Sequence, residues 1–568
     1  MTRTAWQAAV EALEAEGVEY AFGLSGNPLH LVADLHGTSV KPILARNESS
    51  AVFMAYGYAR VARRAGICFG NPGPGTTNMV SGMLEADSAC LPVIGLSNGT
   101  VTRFDGAGAL QELDVQTLMR PVTKWSAKLA NPAQMPWIMR RAFHLARSGR
   151  PGSVFIEVPG DLGLQEAELD GYRSAGPRVR SRPTAEAIEA LADALARSRR
   201  PVIVAGSGAW SADAGAALRA VAERVGAGVL TTPGGRGSFG EEHELSLGQV
   251  GLYFTAAGRA AWDDADLVLS VGSRLEELQA GFGASLFPAN AVYAQIDADP
   301  FAIARNVVPD IPLAGDAALA LAELDAVLAA RGVGHADRAG WRSTIADLKE
   351  QQAEEVAAAR ADVRGPVFGG QLVGEIERVF GPNTILAHEN GGHDLWSYYS
   401  PYYRVQTGGI SIPPGEQTVM GIAVVGAIGA KLARPDLHVV CTTGDGAMQM
   451  VLGELGSAVA HGAPVTWVVF ADGGLGWVQF LQRESGLPIE ATDFGHRTDF
   501  VAAARAQGAH AERVEHGSAL ADALDRARRA NDDGLPALVE VEVARHEYAP
   551  GFVSFHRDVW GVGPRRRA

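Results

Sequence analysis

Short apolar runs alternate with helical stretches along almost the whole chain, and no other feature limits its fold as much. Runs of this kind are strands of parallel sheets, which need helical crossovers to cover them. Three blocks emerge. The first, 1–175, carries the runs Tyr20–Leu24, Gly66–Phe69, Pro92–Leu96 and Ser153–Val158. A Pro- and Arg-rich stretch, Gly176 to Ala187, leads into the second, 186–330, with PVIVAGSGA, ADLVLSVGSRL and AVYAQIDADP. A charged helical stretch, about Ala336 to Arg364, leads to the third, 365–568, with NTILAHENGG, LHVVCTTGDGA, APVTWVVFADGG and PALVEVEVA. The expected fold class is α/β, with three doubly wound parallel-sheet domains.

A net charge of −15, from 49 Lys and Arg against 64 Asp and Glu, argues against a nucleic-acid binder. Cys68, Cys90 and Cys441 form no C-x-x-C pair. That excludes a cysteine-built zinc or iron–sulfur site and fits a reducing compartment. No run approaches the ~18 apolar residues of a membrane span, and the first residues lack the apolar core of a signal peptide. The expected location is the cytoplasm, with no membrane partner.

The sharpest chemical signal lies in the third block. LHVVCTTGDGAMQM is an apolar run ending in Gly444-Asp445-Gly446, and the following MQMVLGELGSAVAHG has helical periodicity. PVTWVVFADGG is a second run ending in Ala471-Asp472-Gly473-Gly474. A Gly-Asp-Gly alone is as readily a turn. Here a second acidic strand end follows 27 residues later, and ligands of open α/β sheets sit outside the carboxyl ends of strands. Two neighbouring carboxylates repel unless a cation lies between them. Mg²⁺ suits such oxygen ligands together with phosphate oxygens. Glycine leaves room for backbone to approach a diphosphate, and a helix start offers free N–H groups.

With its partner 27 residues on, this motif resembles the metal–diphosphate motif of thiamine-diphosphate-dependent enzymes. PILARNESSAVFMAYGYARVARRAG resembles the segment carrying that family's catalytic Glu, which falls on Glu48. FGNPGPGTTNMVSGMLEADSACLPVIGLS resembles the loop beside the cofactor, with Gly73 and Asn78. QELDVQTLMRPVTKWS, from Gln111, resembles the next shared segment. The likeness covers nearly the whole chain, as pyrimidine-binding, central and diphosphate-binding domains. It implies thiamine diphosphate and Mg²⁺ as cofactors and a site shared between chains of a homodimer or homotetramer. By resemblance, Asp445, Asp472 and the Gly474 carbonyl hold the metal. Gly444, Gly446, Ala447 and Gly476 approach the diphosphate, as do Asn390, Gly392 and His393 of HENGGHDLW. Met420 reads either as the wedge that bends the cofactor or as a core methionine. One departure stands out: the family has Asn-Asn where this chain has Ala471-Asp472, which adds a negative charge.

Resemblance gives Glu48 the task of protonating the cofactor's pyrimidine ring; read alone, it is an acidic residue favoured at a helix start. Gln111 falls where relatives place a polar residue facing the reacting carbon. Glu490 follows the metal motif and is either a second acid or base or an exposed loop residue. In the central domain Arg274 and Asp297 are placed to hold a phosphate and a ribose of ADP or FAD, if a nucleotide binds there. HDLWSYYSPYYR leans towards acetolactate synthases; VMGIAVVGAIGA and DGGLGW lean towards acyl-CoA enzymes. Arg565 to Arg567 could meet acyl-CoA phosphates. The expected function is a 2-hydroxyacyl-CoA lyase releasing formyl-CoA and a ketone or aldehyde. The alternatives are acetolactate synthase-like decarboxylation and carboligation, and a non-catalytic protein of this fold.

Overall fold

The computed structural model describes residues 2–26, 28–360 and 366–562. It contains three six-stranded sheets, each wholly parallel. The first joins β1 (Tyr20–Gly23), β2 (Lys41–Leu44), β3 (Gly66–Gly70), β4 (Val93–Gly99), β5 (Trp125–Lys128) and β6 (Val154–Pro159), in the order β2-β1-β3-β4-β6-β5. The second joins β7 (Pro201–Ala205), β8 (Gly228–Thr231), β9 (Ser246–Gln249), β10 (Leu267–Val271), β11 (Val292–Asp297) and β12 (Ile311–Ala314), in the order β9-β8-β7-β10-β11-β12. The third joins β13 (Thr384–His388), β14 (Ile410–Ile412), β15 (His438–Gly444), β16 (Thr466–Ala471), β17 (His510–Val514) and β18 (Ala537–Glu542), in the order β14-β13-β15-β16-β18-β17. The first and third sheets therefore share one topology, while the second has the strand order of dinucleotide-binding folds. The α/β class and the three parallel-sheet domains match the expectation from sequence.

Successive strand residues face opposite cores. In the first sheet Phe22, Cys68 and Val93 point to one cluster and Ala21, Ile67 and Ile94 to another. The third sheet does the same with Val439, Cys441 and Trp467 against Val440 and Val468. Burial on both faces is why these strands read as unbroken apolar runs. The first and third sheets share one of these clusters. Helix α1 (Glu48–Ala62) crosses a third-domain helix, 422–433, at glycines. A Cβ on Gly57 would lie 1.9 Å from the Gly426 carbonyl, and one on Gly429 would lie 1.9 Å from that of Met54. Only glycine permits this contact.

The sequence reading passes over the edge strands β2, β5, β9, β12, β14 and β17 and the inner strand β8. Pro, Lys or Arg interrupts the apolar run in β2, β5, β12 and β17, and β14 is only three residues long. The single helix expected after Gly446 is broken into helix 445–451, a turn at 452–454 and helix 455–460. Gly453 weakens the helix there, and the turn brings the Glu454 carboxylate inward to accept the Arg46 N–H (2.9 Å). The charged stretch before the third domain forms helix 339–360, whose Trp341 and Ile345 enter the central core. Among the described residues no helix is long and apolar enough to cross a membrane.

Candidate active site

The third domain gathers its candidate residues around one cavity of about 220 Å³. Asn390, Gly392 and His393 come from the loop after β13, and Met420 from the segment before helix 422–433. Gly444 ends β15 and Asp445, Gly446 and Ala447 follow it; Asp472, Gly474 and Gly476 follow β16. β15 and β16 are paired neighbours, so both carboxylates emerge side by side at the same sheet edge.

Asp445 accepts the Gly473 N–H (2.8 Å) and Asp472 the Gly474 N–H (3.3 Å). Burial raises the pKa of both carboxyls, Asp445 to about 7, where the Asp472 charge adds to it. Arg545 lies against Gly473 and pulls both carboxyls the other way. Side chains longer than hydrogen would fill the floor. A Cβ on Gly474 would stand 2.6 Å from the Thr492 carbonyl, and one on Gly476 would stand 2.7 Å from Asp472 Oδ2. Burial holds His393 neutral, with its pKa drawn down to about 3, and its shielded Nε2 has no partner in the protein.

These residues fit the implied cofactor. Two carboxylates and the Gly474 carbonyl offer three oxygens to a divalent cation. No cluster of three His, Cys, Asp or Glu exists among the described residues, so phosphate oxygens and water must complete a Mg²⁺ shell. The glycine floor and the orphaned His393 Nε2 suit a diphosphate. The Asp472 charge that departs from the family pattern is offset by Arg545.

The first domain builds a separate cradle. Asn47 caps α1 by accepting the Ser49 N–H (2.8 Å), which places Glu48 in the first turn, buried. Asn71 Nδ2 donates to Glu48 Oε1 (3.0 Å) and Asn78 Nδ2 to Oε2 (3.1 Å). A Cβ on Gly75 would come within 2.6 Å of Oε1. Gly73 has φ +57 and backs onto Gln111, itself at φ +62 and half-buried. Among the described residues, no first-domain side chain lines the cavity at Asp445. Within one chain the Glu48 cradle and the Asp445 cavity are thus lined by different residues.

Other candidates sit elsewhere. Glu490 is exposed on its loop, outside the cavity lining. Arg274 is bound to Glu276 and to the Ser88 carbonyl, both at 2.9 Å. Burial raises Asp297 to about 6, and it shares with Arg274 a cavity of about 40 Å³. The adjoining cavity, faced by Glu276 and Glu416, is about 60 Å³. Arg274 and Asp297 thus share a narrow cleft, and both are already engaged by the protein. Arg565 to Arg567 lie outside the described residues. The rest of the tail does reach the site: Tyr548 lines the cavity and donates to the Gly476 carbonyl (3.1 Å), while Trp477 donates to His556 (3.0 Å). The sequence reading names none of Asn71, Tyr548 and Arg545 individually as site residues. Asn71 stands directly after β3 in the Asn-Pro-Gly-Pro turn, and Arg545 and Tyr548 belong to the tail that mixes aromatics with arginines.

Comparison with known proteins bears on this geometry. Residues 3–118 match the signature of the thiamine pyrophosphate enzyme N-terminal binding domain, 188–324 that of the central domain and 389–541 that of the C-terminal binding domain. The chain is 32% identical to a probable acetolactate synthase large subunit of Methanococcus aeolicus, over 93% of this chain and 90% of that one. It is 31% identical to an acetolactate synthase large subunit of Corynebacterium glutamicum and 30% to an acetolactate synthase of Mycobacterium leprae, in each case over 93% of this chain and 85% of the relative.

Proposed function

Because this chain belongs to the thiamine pyrophosphate enzyme family, we propose that it is an acetolactate synthase-like enzyme that decarboxylates one 2-oxo acid and joins the remainder to a second. With pyruvate, two molecules give 2-acetolactate and CO₂. The observation that carries this reading is the full-length likeness to acetolactate synthases, with a carboxylate retained in the cradle and in the cavity.

Bound thiamine diphosphate supplies the electron sink for decarboxylation. The protein's own residues supply its setting. Asp445, Asp472 and the Gly474 carbonyl would hold Mg²⁺, the proposed metal. The glycines at 444, 446 and 476 let backbone approach the diphosphate. Glu48, aimed by Asn71 and Asn78, would hold a proton at the pyrimidine ring nitrogen. Gln111 would donate to the substrate oxygen.

We also place the site between two copies of the chain, since Glu48 does not line the cavity at Asp445 within one chain. Apolar side chains stand exposed near both: Leu110 at 88% on the first domain, Leu487 and Ile489 at 53% and 45% beyond the second. A second copy would cover them.

The lyase expectation rests on two sequence segments, and the named relatives favour the synthase. A direct test is incubation with thiamine diphosphate and Mg²⁺, giving one sample pyruvate and another a set of 2-hydroxyacyl-CoA esters, followed by mass spectrometry. Acetolactate is the expected product. Formyl-CoA with a ketone or aldehyde would instead establish the lyase, and turnover of neither would return the non-catalytic reading.

A further inference from the structure

Segment 413–421 runs from β14 to helix 422–433 and brings Met420 to the cavity wall. Two buried carboxylates from different domains grip its backbone. Glu85, fully buried in helix α2 (Pro74–Ser88), accepts the N–H groups of Gly415 and of Val419, the latter at 3.2 Å. Glu389, also fully buried, accepts four: Asn390 (3.0 Å) and Gly421 (2.9 Å) on Oε1, Ala423 (2.9 Å) and Val424 (3.2 Å) on Oε2. Every one of these partners is a donor, so the arrangement calls for the charged form of each carboxyl. Between the two N–H groups that Glu85 holds, Thr418 stands at φ +49. A β-branched residue is strained there and persists only where its surroundings hold it. The Tyr56 hydroxyl fixes the start of the segment by donating to the Pro413 carbonyl (2.7 Å).

We propose that Glu85 and Glu389 are positioning residues that clamp segment 413–421 from the first and third domains and so set where Met420 stands in the cofactor slot. The proposal rests on the reading of the cavity as a thiamine diphosphate site. It gives α2 a double task. One end holds Glu48 through Asn78, and the other holds the Met420 segment through Glu85.

Burial pushes both carboxyls up to about 7. The titratable and charged groups around them are each other, Glu416, Tyr56, His393 against the Glu389 backbone and, beyond Tyr56, Arg60 and Cys90. Protonation fills an oxygen that an N–H group needs. The clamp therefore loosens as pH falls through about 7, and kcat falls with it.

Two variants test the grip from opposite sides. Glu85→Gln turns one acceptor into a donor. Gly415→Ala leaves Glu85 intact but sets a Cβ 2.8 Å from its Oε1. In both, kcat per folded protein at saturating thiamine diphosphate and Mg²⁺ is expected to fall about tenfold, with the KM for the oxo acid unchanged and the melting temperature lowered by the unmatched N–H groups. The near-ultraviolet circular dichroism of the bound cofactor shifts, and the acid limb of kcat becomes shallower in Glu85→Gln. A normal wild-type cofactor signal left unchanged in both variants would overturn the clamp alone. So would a loss of kcat fully matched by loss of folded protein. A wild-type protein with no cofactor signal would overturn the reading of the site, and the clamp with it.

Discussion

Replacing Glu48 by Gln lowers kcat by ~10²- to 10⁴-fold, the range for a lost acid–base group, in a protein that still folds and still binds thiamine diphosphate. Gln keeps the length and shape of Glu, so the cradle of Asn71, Asn78 and Gly75 stays filled. What changes is the proton. An amide cannot protonate a ring nitrogen, and its NH₂ group would face the amide of Asn71 or Asn78, donor against donor. Steady-state rates with pyruvate, beside a titration of cofactor binding, check both halves of this expectation. Equal losses in binding and in kcat would move Glu48 from chemistry to simple support.

Loss of the metal has the second large effect, and it couples to pH. Asp445→Asn is expected to weaken thiamine diphosphate binding by at least ~10²-fold, because losing a ligand should cost more than losing an outer-shell partner. In the metal-free wild type, Asp445 carries a pKa raised from 3.8 to about 7. The native state thus holds a proton that the unfolded chain releases, and stability falls as pH rises from about 4 to about 7. A divalent cation between the carboxylates replaces that proton. Adding Mg²⁺ with thiamine diphosphate should therefore flatten the pH dependence of the melting temperature and raise it most at pH 7 and above. A melting curve with the same pH slope with and without Mg²⁺ would contradict the assignment of Asp445.

The diphosphate half of the site was legible because each of its residues ends a long apolar run or begins the helix after one. Strand period and strand termini together are enough to put Asp445 and Asp472 at the same end of a parallel sheet. The Glu48 cradle was half legible: its carboxylate stands in a motif, but Asn71 acts only through a turn that folds back onto α1. The Glu85 grip was not legible at all. It joins residues 330 positions apart, and nothing local distinguishes Glu85 from any acidic residue late in a helix. The same limit hid the edge strands. β2 and β14 owe their state to a neighbour's hydrogen bonds rather than to their own pattern. In the central domain Arg274 and Asp297, named for a possible nucleotide, meet protein partners instead: Glu276 for the one and the Asp299 N–H for the other.

The central claim is that Glu48 and Asp445 complete one thiamine diphosphate site only across two chains. Mixing the two inactive variants, Glu48→Gln and Asp445→Asn, after dissociation and reassociation tests it directly. Each mixed dimer would then carry one intact site and one doubly altered site. Random pairing predicts recovery of about a quarter of the wild-type activity per chain. Activity that stays at the level of the separate variants, in a sample shown to contain mixed dimers, would contradict the shared site.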